Sequence, residues 1–128
     1  MTIYHSDLHK RKRSGGRKRL NRGRRRFEFG SPPTRTVMGD KTVLTARTSG
    51  GRLKARVLRE ANANLSDRSG KVVRAKILSV TENPAGVDLR RGGIMTKGAI
   101  IQTPMGRARI TSRPGQSGTI DAVLIEGT

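Results

Sequence analysis

Ala99-Ile100-Ile101-Gln102-Thr103-Pro104-Met105-Gly106-Arg107-Ala108-Arg109-Ile110-Thr111 is the stretch that decides the fold class. An apolar run from Ala99 to Gln102 meets a Thr-Pro-Met-Gly turn and returns as Arg107 to Thr111, in which arginine alternates with Ala or Ile. A period of two places the guanidinium groups on one face and the apolar groups on the other, which is the pattern of a half-buried strand rather than a helix. Turn residues between two such runs predict a hairpin. Working outward, Arg52-Leu53-Lys54-Ala55-Arg56-Val57 and Arg74-Ala75-Lys76-Ile77 repeat the same alternation, so each of these strands has one oily and one cationic face. Thr48-Ser49-Gly50-Gly51 separates a Thr42 to Arg47 run from the Leu53 run, Asn83-Pro84 ends a Val72 to Val80 run, and Ser112 to Gly118 turns the chain into a closing strand, Thr119 to Glu126. Many short strands without a clear helix predict an all-β fold, a small antiparallel β domain, and barrel-like closure is the simplest way for it to hide its edges. Tyr4, Phe27 and Phe29 all precede residue 30, so Val, Ile, Leu, Met and Ala must fill the core. A domain of roughly 95 residues with such a core is modestly stable, and a bound partner should contribute to its stability.

Upstream the character differs. The stiff segment Ser31-Pro32-Pro33-Thr34 marks a boundary between residues 1–30, an extended basic arm, and residues 31–128, the β domain. Lys10, Arg11, Lys12, Arg13, Arg17, Lys18, Arg19, Arg22, Arg24, Arg25 and Arg26 crowd residues 10–26 without one acid. Leu20 is the only apolar residue between His9 and Arg26, so no private core is expected there and the tract should be disordered alone. About thirty extended residues reach at most roughly 100 Å.

The whole chain carries 28 Lys and Arg against 9 Asp and Glu, a formal net charge of +19 over 128 residues. Charge of that size repels itself unless a polyanion neutralises it, which points to a phosphate-bearing partner. No run of 18 apolar residues and no basic amphipathic helix supports a membrane role. The absence of cysteine excludes a disulfide framework and thiolate metal sites. Met1 to Arg13 lacks the apolar segment of a secretory signal and the amphipathicity of a transit peptide, so a cytoplasmic chain is expected.

The arginine tract reads as a phosphate binder, because guanidinium groups make bidentate contacts to phosphate and stack on exposed bases. The alternative is a solvated tail or a localisation signal, but eleven cations in this stretch exceed what such a signal needs, and eight arginines to three lysines favour folded RNA. Phe27 and Phe29 either stack on unpaired bases or anchor the arm to the domain's core, and the lack of any other large ring there favours the anchor. His5 and His9 have helical spacing but no third ligand beyond Asp7, so no metal is expected. Asp88, Asp121, Glu82 and Glu126 are scattered and the Gly-Gly pairs precede no helix, so neither catalytic residues, a cofactor nor a small-molecule substrate is expected.

Ser14-Gly15-Gly16-Arg17, Arg24-Arg25-Arg26-Phe27-Glu28-Phe29-Gly30, Pro33-Thr34, Arg47-Thr48-Ser49-Gly50-Gly51, Lys54 with Arg56, Glu82-Asn83-Pro84-Ala85, Thr96-Lys97-Gly98-Ala99-Ile100-Ile101 and Gly106 to Gln116 follow one another in order along the chain. Together they resemble the archaeal and eukaryotic family of small-subunit ribosomal protein eight, in its short archaeal branch and unrelated to the bacterial namesake. The resemblance implies a structural role in the small ribosomal subunit, with 16S-type ribosomal RNA and other small-subunit ribosomal proteins as partners. It adds Arg47 and Arg113 to an RNA-binding set already holding the tract cations, Arg52, Lys54, Arg56, Arg107 and Arg109. The family commonly has Arg where this chain has Ser31 and Asn where it has Arg52. A ribosome-assembly factor is the alternative, expected to carry further segments, and a DNA-compacting chromatin protein is the third reading.

Overall fold

The computed structural model describes residues 3–67 and 69–125, which fall into two compact units, Met1–Pro33 and Thr34–Thr128. In the first unit, strand β1 (Ile3–Tyr4) pairs antiparallel with β2 (Phe29–Gly30), so the two ends of the basic segment are clasped together. The His5 ring lies against the Gly30 backbone, where any Cβ would collide with it. Single 3-10 turns at Asp7–His9 and Arg26–Glu28 flank the pair, and Gly15, at φ +81°, closes a tight turn through Gly15 N–H to Lys12 O (3.0 Å) and Lys12 N–H to Gly16 O (2.9 Å). None of this local pairing was announced by apolar periodicity. Within this unit Phe29 packs beside Tyr4 with ring centroids 5.8 Å apart.

The second unit is all-β in character. An antiparallel ribbon of β3 (Thr42–Arg47) and β4 (Leu53–Arg59) turns through Gly50 and Gly51, both at positive φ. Then follow β5 (Asn62–Ser66), β6 (Val72–Lys76), β7 (Ser79–Glu82), a short helix α1 (Val87–Arg91), β8 (Ile100–Thr103), β9 (Gly106–Ile110), a single helical turn α2 (Pro114–Ser117) and β10 (Asp121–Leu124). Six of these strands form one curled sheet in the order β6-β5-β10-β9-β8-β7. Its two edge strands are successive segments of one bent run: Ile77 N–H still bonds Ala61 O (2.8 Å) beside β6, and Leu78 N–H already bonds Gln102 O (2.9 Å) beside β7. The chain thus passes from one edge of the sheet to the other, and the sheet curls as half a barrel.

Two details depart from the sequence reading. One pair is parallel rather than antiparallel, because β10 inserts between β9 and β5 and runs alongside β5 with Ala122 opposite Leu65. The Val72 to Val80 run is two strands, broken at Ile77-Leu78 where the sheet bends. Glu126, the expected end of the closing strand, lies outside the described residues.

The core forms on the concave face from alternate residues of neighbouring strands: Ala63 and Leu65 of β5, Ala75 of β6, Ile101 of β8, Ala108 and Ile110 of β9 and Ala122 of β10, closed by Ile77, Met95, Ala99 and Ile120. Ala108 stands opposite both Ile101 and Leu124, and Ile110 opposite Ala122, so small and branched side chains interdigitate without a ring. Buried Asn83 ties the β7–β8 connection down, donating to Ile94 O (2.8 Å) while its carbonyl accepts from Ala85 N–H and the Thr96 hydroxyl. Helical turn α2 packs on β4, and Gly118 at its end, with φ +80°, would bring a Cβ within 2.7 Å of the Ala55 Cβ.

Candidate nucleic-acid interface

In the N-terminal unit the basic tract is organised around two carboxylates. Asp7 receives Lys18 Nζ and Lys10 Nζ, each at 3.0 Å. The hydrogen bond from Lys18, followed by that from Lys10, lowers its pKa to about 2. Glu28 is the hub of the clasp. Its side chain accepts from both terminal nitrogens of Arg22 (2.6 and 3.3 Å), from Arg25 N–H (2.9 Å) and from the Tyr4 hydroxyl (2.8 Å). The Arg22 bonds, then the Arg25 amide and Tyr4, hold its pKa at about 2. Arg24 lies over the Tyr4 ring at 4.4 Å and Arg22 over Phe27 at 5.7 Å.

Three tract cations, Lys10, Lys18 and Arg22, therefore have carboxylate partners. Lys12, Arg11, Arg13, Arg17, Arg19, Arg24, Arg25 and Arg26 are exposed and form no ion pair among the described residues. Guanidinium groups left in water without an internal carboxylate are the ones free to take phosphate.

In the β domain the expected cations fall into two neighbourhoods. Arg107 and Arg109 project from the outer face of β9, opposite Gln102 and Ile100 of β8, while Ala108 and Ile110 between them are buried. Arg74 and Lys76 do the same on β6 around buried Ala75. The second neighbourhood is the ribbon. Arg47 and Arg52 stand at its tip beside the Gly50-Gly51 turn, and Lys54 reaches Gln116 Oε1 (2.8 Å) on α2, the turn that Arg113 begins. The alternation expected along β4 holds only in part: Leu53 is 69% exposed and Arg56 half-buried, because β4 belongs to a two-stranded ribbon outside the six-stranded sheet.

Sequence reasoning passed over one further cluster, Lys41, Glu60, Asn62, Asn64, Arg74 and Thr119, which line a small pocket beside the outer face of β5. Glu60 follows β4 directly, and its acidic side chain gave no pattern to read. Among the described residues no group of three or more His, Cys, Asp or Glu is placed to hold a metal, and no helix is long and apolar enough to cross a membrane.

Oily inside and arginine-bearing outside, the curled sheet and its basic companion segment define a strongly basic all-β protein whose cations far outnumber their internal partners. Comparison with known proteins agrees. Residues 5–125 match the model of the family described as ribosomal protein S8e. The small ribosomal subunit protein eS8 of Methanocorpusculum labreanum is 52% identical over 117 residues, covering 91% of this chain and 94% of that one. Its namesakes in Sulfurisphaera tokodaii and Sulfolobus acidocaldarius are 49% identical over 118 residues (91% and 92% covered) and 44% identical over 124 residues (95% and 97% covered). This chain belongs to the ribosomal protein S8e family, a structural rather than an enzymatic class.

Proposed function

We propose that the protein is a structural constituent of the small ribosomal subunit that binds and stabilises small-subunit ribosomal RNA of the 16S type, among other small-subunit ribosomal proteins in the cytoplasm. Residues 1–30 act as the RNA-binding arm and residues 31–128 as a β domain that adds a second cationic surface. The observation that carries this reading is the set of eight exposed tract cations that have no carboxylate partner among the described residues. Internal electrostatics leaves them unsatisfied, whereas RNA phosphates would neutralise them and release counterions. Arg107 and Arg109 on the outer face of β9, and Arg47, Arg52, Lys54, Arg56 and Arg113 around the ribbon, extend the same chemistry. The relatives' names supply the particle.

Sedimentation of cell extracts tests it. The protein is expected to travel with the small subunit through a high-salt wash. Release as a free protein, or equal affinity for duplex DNA and for ribosomal RNA, would refute the reading in favour of an assembly factor or a chromatin protein respectively.

A further inference from the structure

Glu60 is only 6% exposed, and its Oε1 is buried without a hydrogen bond. Lys41 Nζ and Arg74 Nη2 each approach the carboxylate to 3.6 Å, close enough to neutralise it and too far to donate to it. The backbone around it is fixed, since Glu60 N–H bonds Val37 O (3.2 Å) and Ala61 O accepts from Ile77 N–H (2.8 Å). A buried acceptor held in this way lacks a donor, and leaving it unmade is costly.

The pocket it lines has a volume of about 130 Å³. It is well below the roughly 300–1,000 Å³ of a drug-sized site. Asn62 and Asn64 enter it from the same face of β5, although asparagine is disfavoured in strands. Asn64 already donates to Asp121 Oδ1 (2.8 Å), whose other oxygen takes the Thr119 hydroxyl (2.8 Å). Asn62 is left with an uncommitted amide. Lys41 and Arg74 stand at the rim with more than half their side chains in water.

We infer that this pocket receives the Watson–Crick edge of one unpaired guanine of the bound RNA, an inference that rests on the RNA-binding reading above. A carboxylate only accepts, and guanine alone among the four bases presents two adjacent donors on that edge, N1–H and the N2 amino group. Glu60 takes both, Asn62 donates to O6, and Lys41 and Arg74 hold the flanking phosphates. Proteins read RNA sequence through unpaired bases in this manner, while phosphate contacts only position them.

The experiment uses the full chain as wild type, Glu60→Gln and Asn62→Ala, bound to a small-subunit RNA fragment and probed with a dicarbonyl reagent that modifies N1 and N2 of unpaired guanines. Among the described residues Asn62 makes no side-chain hydrogen bond, so its variant tests the pocket even if Glu60→Gln disturbs folding. Wild type should protect a guanine that both variants leave reactive. Inosine at that position, which lacks the N2 amino group, should weaken wild type about tenfold and each variant no more than about twofold. Identical protection by all three proteins, or indifference of wild type to inosine, overturns the inference and leaves the pocket to water or to a neighbouring protein's guanidinium. Failure of wild type to bind RNA at all would instead bring down the RNA-binding reading, and the guanine site with it.

Discussion

Replacing Lys12, Arg13, Arg17, Arg19, Arg25 and Arg26 by Gln in the full chain isolates the contribution of the basic tract to RNA binding. Among the described residues these six side chains neither pair with a carboxylate nor stack on a ring, whereas Lys10, Lys18 and Arg22 hold Asp7 and Glu28, and Arg24 covers Tyr4. The substitution therefore removes external charge and leaves the clasp of β1 and β2 intact. Each cation that displaces a counterion from phosphate adds about 0.7 to the slope of log affinity against log salt for single strands and about 0.9 for duplex, so six contribute about four to five units. Between 50 and 200 mM salt the wild type should then lose about 500-fold more affinity than the variant. Filter binding to a small-subunit RNA fragment at several salt concentrations measures both slopes. Preference for that fragment over a scrambled RNA should change by less than about threefold, because phosphate contacts carry little base information. Slopes equal to within one unit would mean that the tract is a solvated tail, and the mechanism would be wrong.

The clasp itself is pH-sensitive. Glu28 is held at about 2 against an ordinary value of 4.5, so its stabilising contribution is complete above about pH 5 and disappears as pH falls through about 2; a carboxyl NMR titration midpoint near 4.5 would contradict the Arg22–Glu28–Tyr4 arrangement. Gly118 and Gly70 share φ +80°, but only Gly118 would drive a Cβ into Ala55. Urea unfolding should therefore show Gly118→Ala costing about 3 kcal/mol and Gly70→Ala about 1 kcal/mol, since the second pays backbone strain alone. Asn83→Ala removes one buried and two partly buried hydrogen bonds and should destabilise by about 2–3 kcal/mol, and an effect below about 0.5 kcal/mol, ordinary for a surface substitution, would show the Asn83 network to be dispensable.

The sequence was most legible where strand periodicity and turn chemistry agreed. Arg107 to Ile110 alternates without exception, and its buried Ala108 and Ile110 lie where a period of two puts them. The all-β class followed from several such runs. What escaped was set by tertiary context. Asn62-Ala63-Asn64-Leu65-Ser66 alternates too, with Ala63 and Leu65 buried, but its polar positions are residues that strands usually avoid, so β5 went unread. The parallel pairing of β10 with β5 depends on a strand missing from the sequence reading. Helical turn α2 had a signal in Pro114, a residue suited to the first position of a helix, but within Ser112 to Gly118 that proline reads equally well as a turn.

Charge was legible as composition, and its partners were not. Nothing in the tract distinguishes Arg22 from Arg19, yet one closes on Glu28 and the other faces water, because β1 brings Tyr4 and β2 brings Glu28's neighbour Phe29 to the same place. The same holds for acids. Glu60 is one of nine in a chain of 28 cations, and by itself it reads as a solvated counter-charge. Only the fold shows it buried just after β4, with one cation from the residue before β3, Lys41, one from β6, Arg74, and two asparagines from β5 around it. A site assembled from separate strands, each contributing one or two residues, leaves no spacing to detect. Phosphate contacts draw on abundant arginine and can be anticipated from counting, whereas a base-reading contact needs one acceptor at one place and becomes visible only in the folded chain. Where the two coexist, affinity should follow the tract and base preference should follow Glu60, so the six-Gln variant and Glu60→Gln are expected to change different observables.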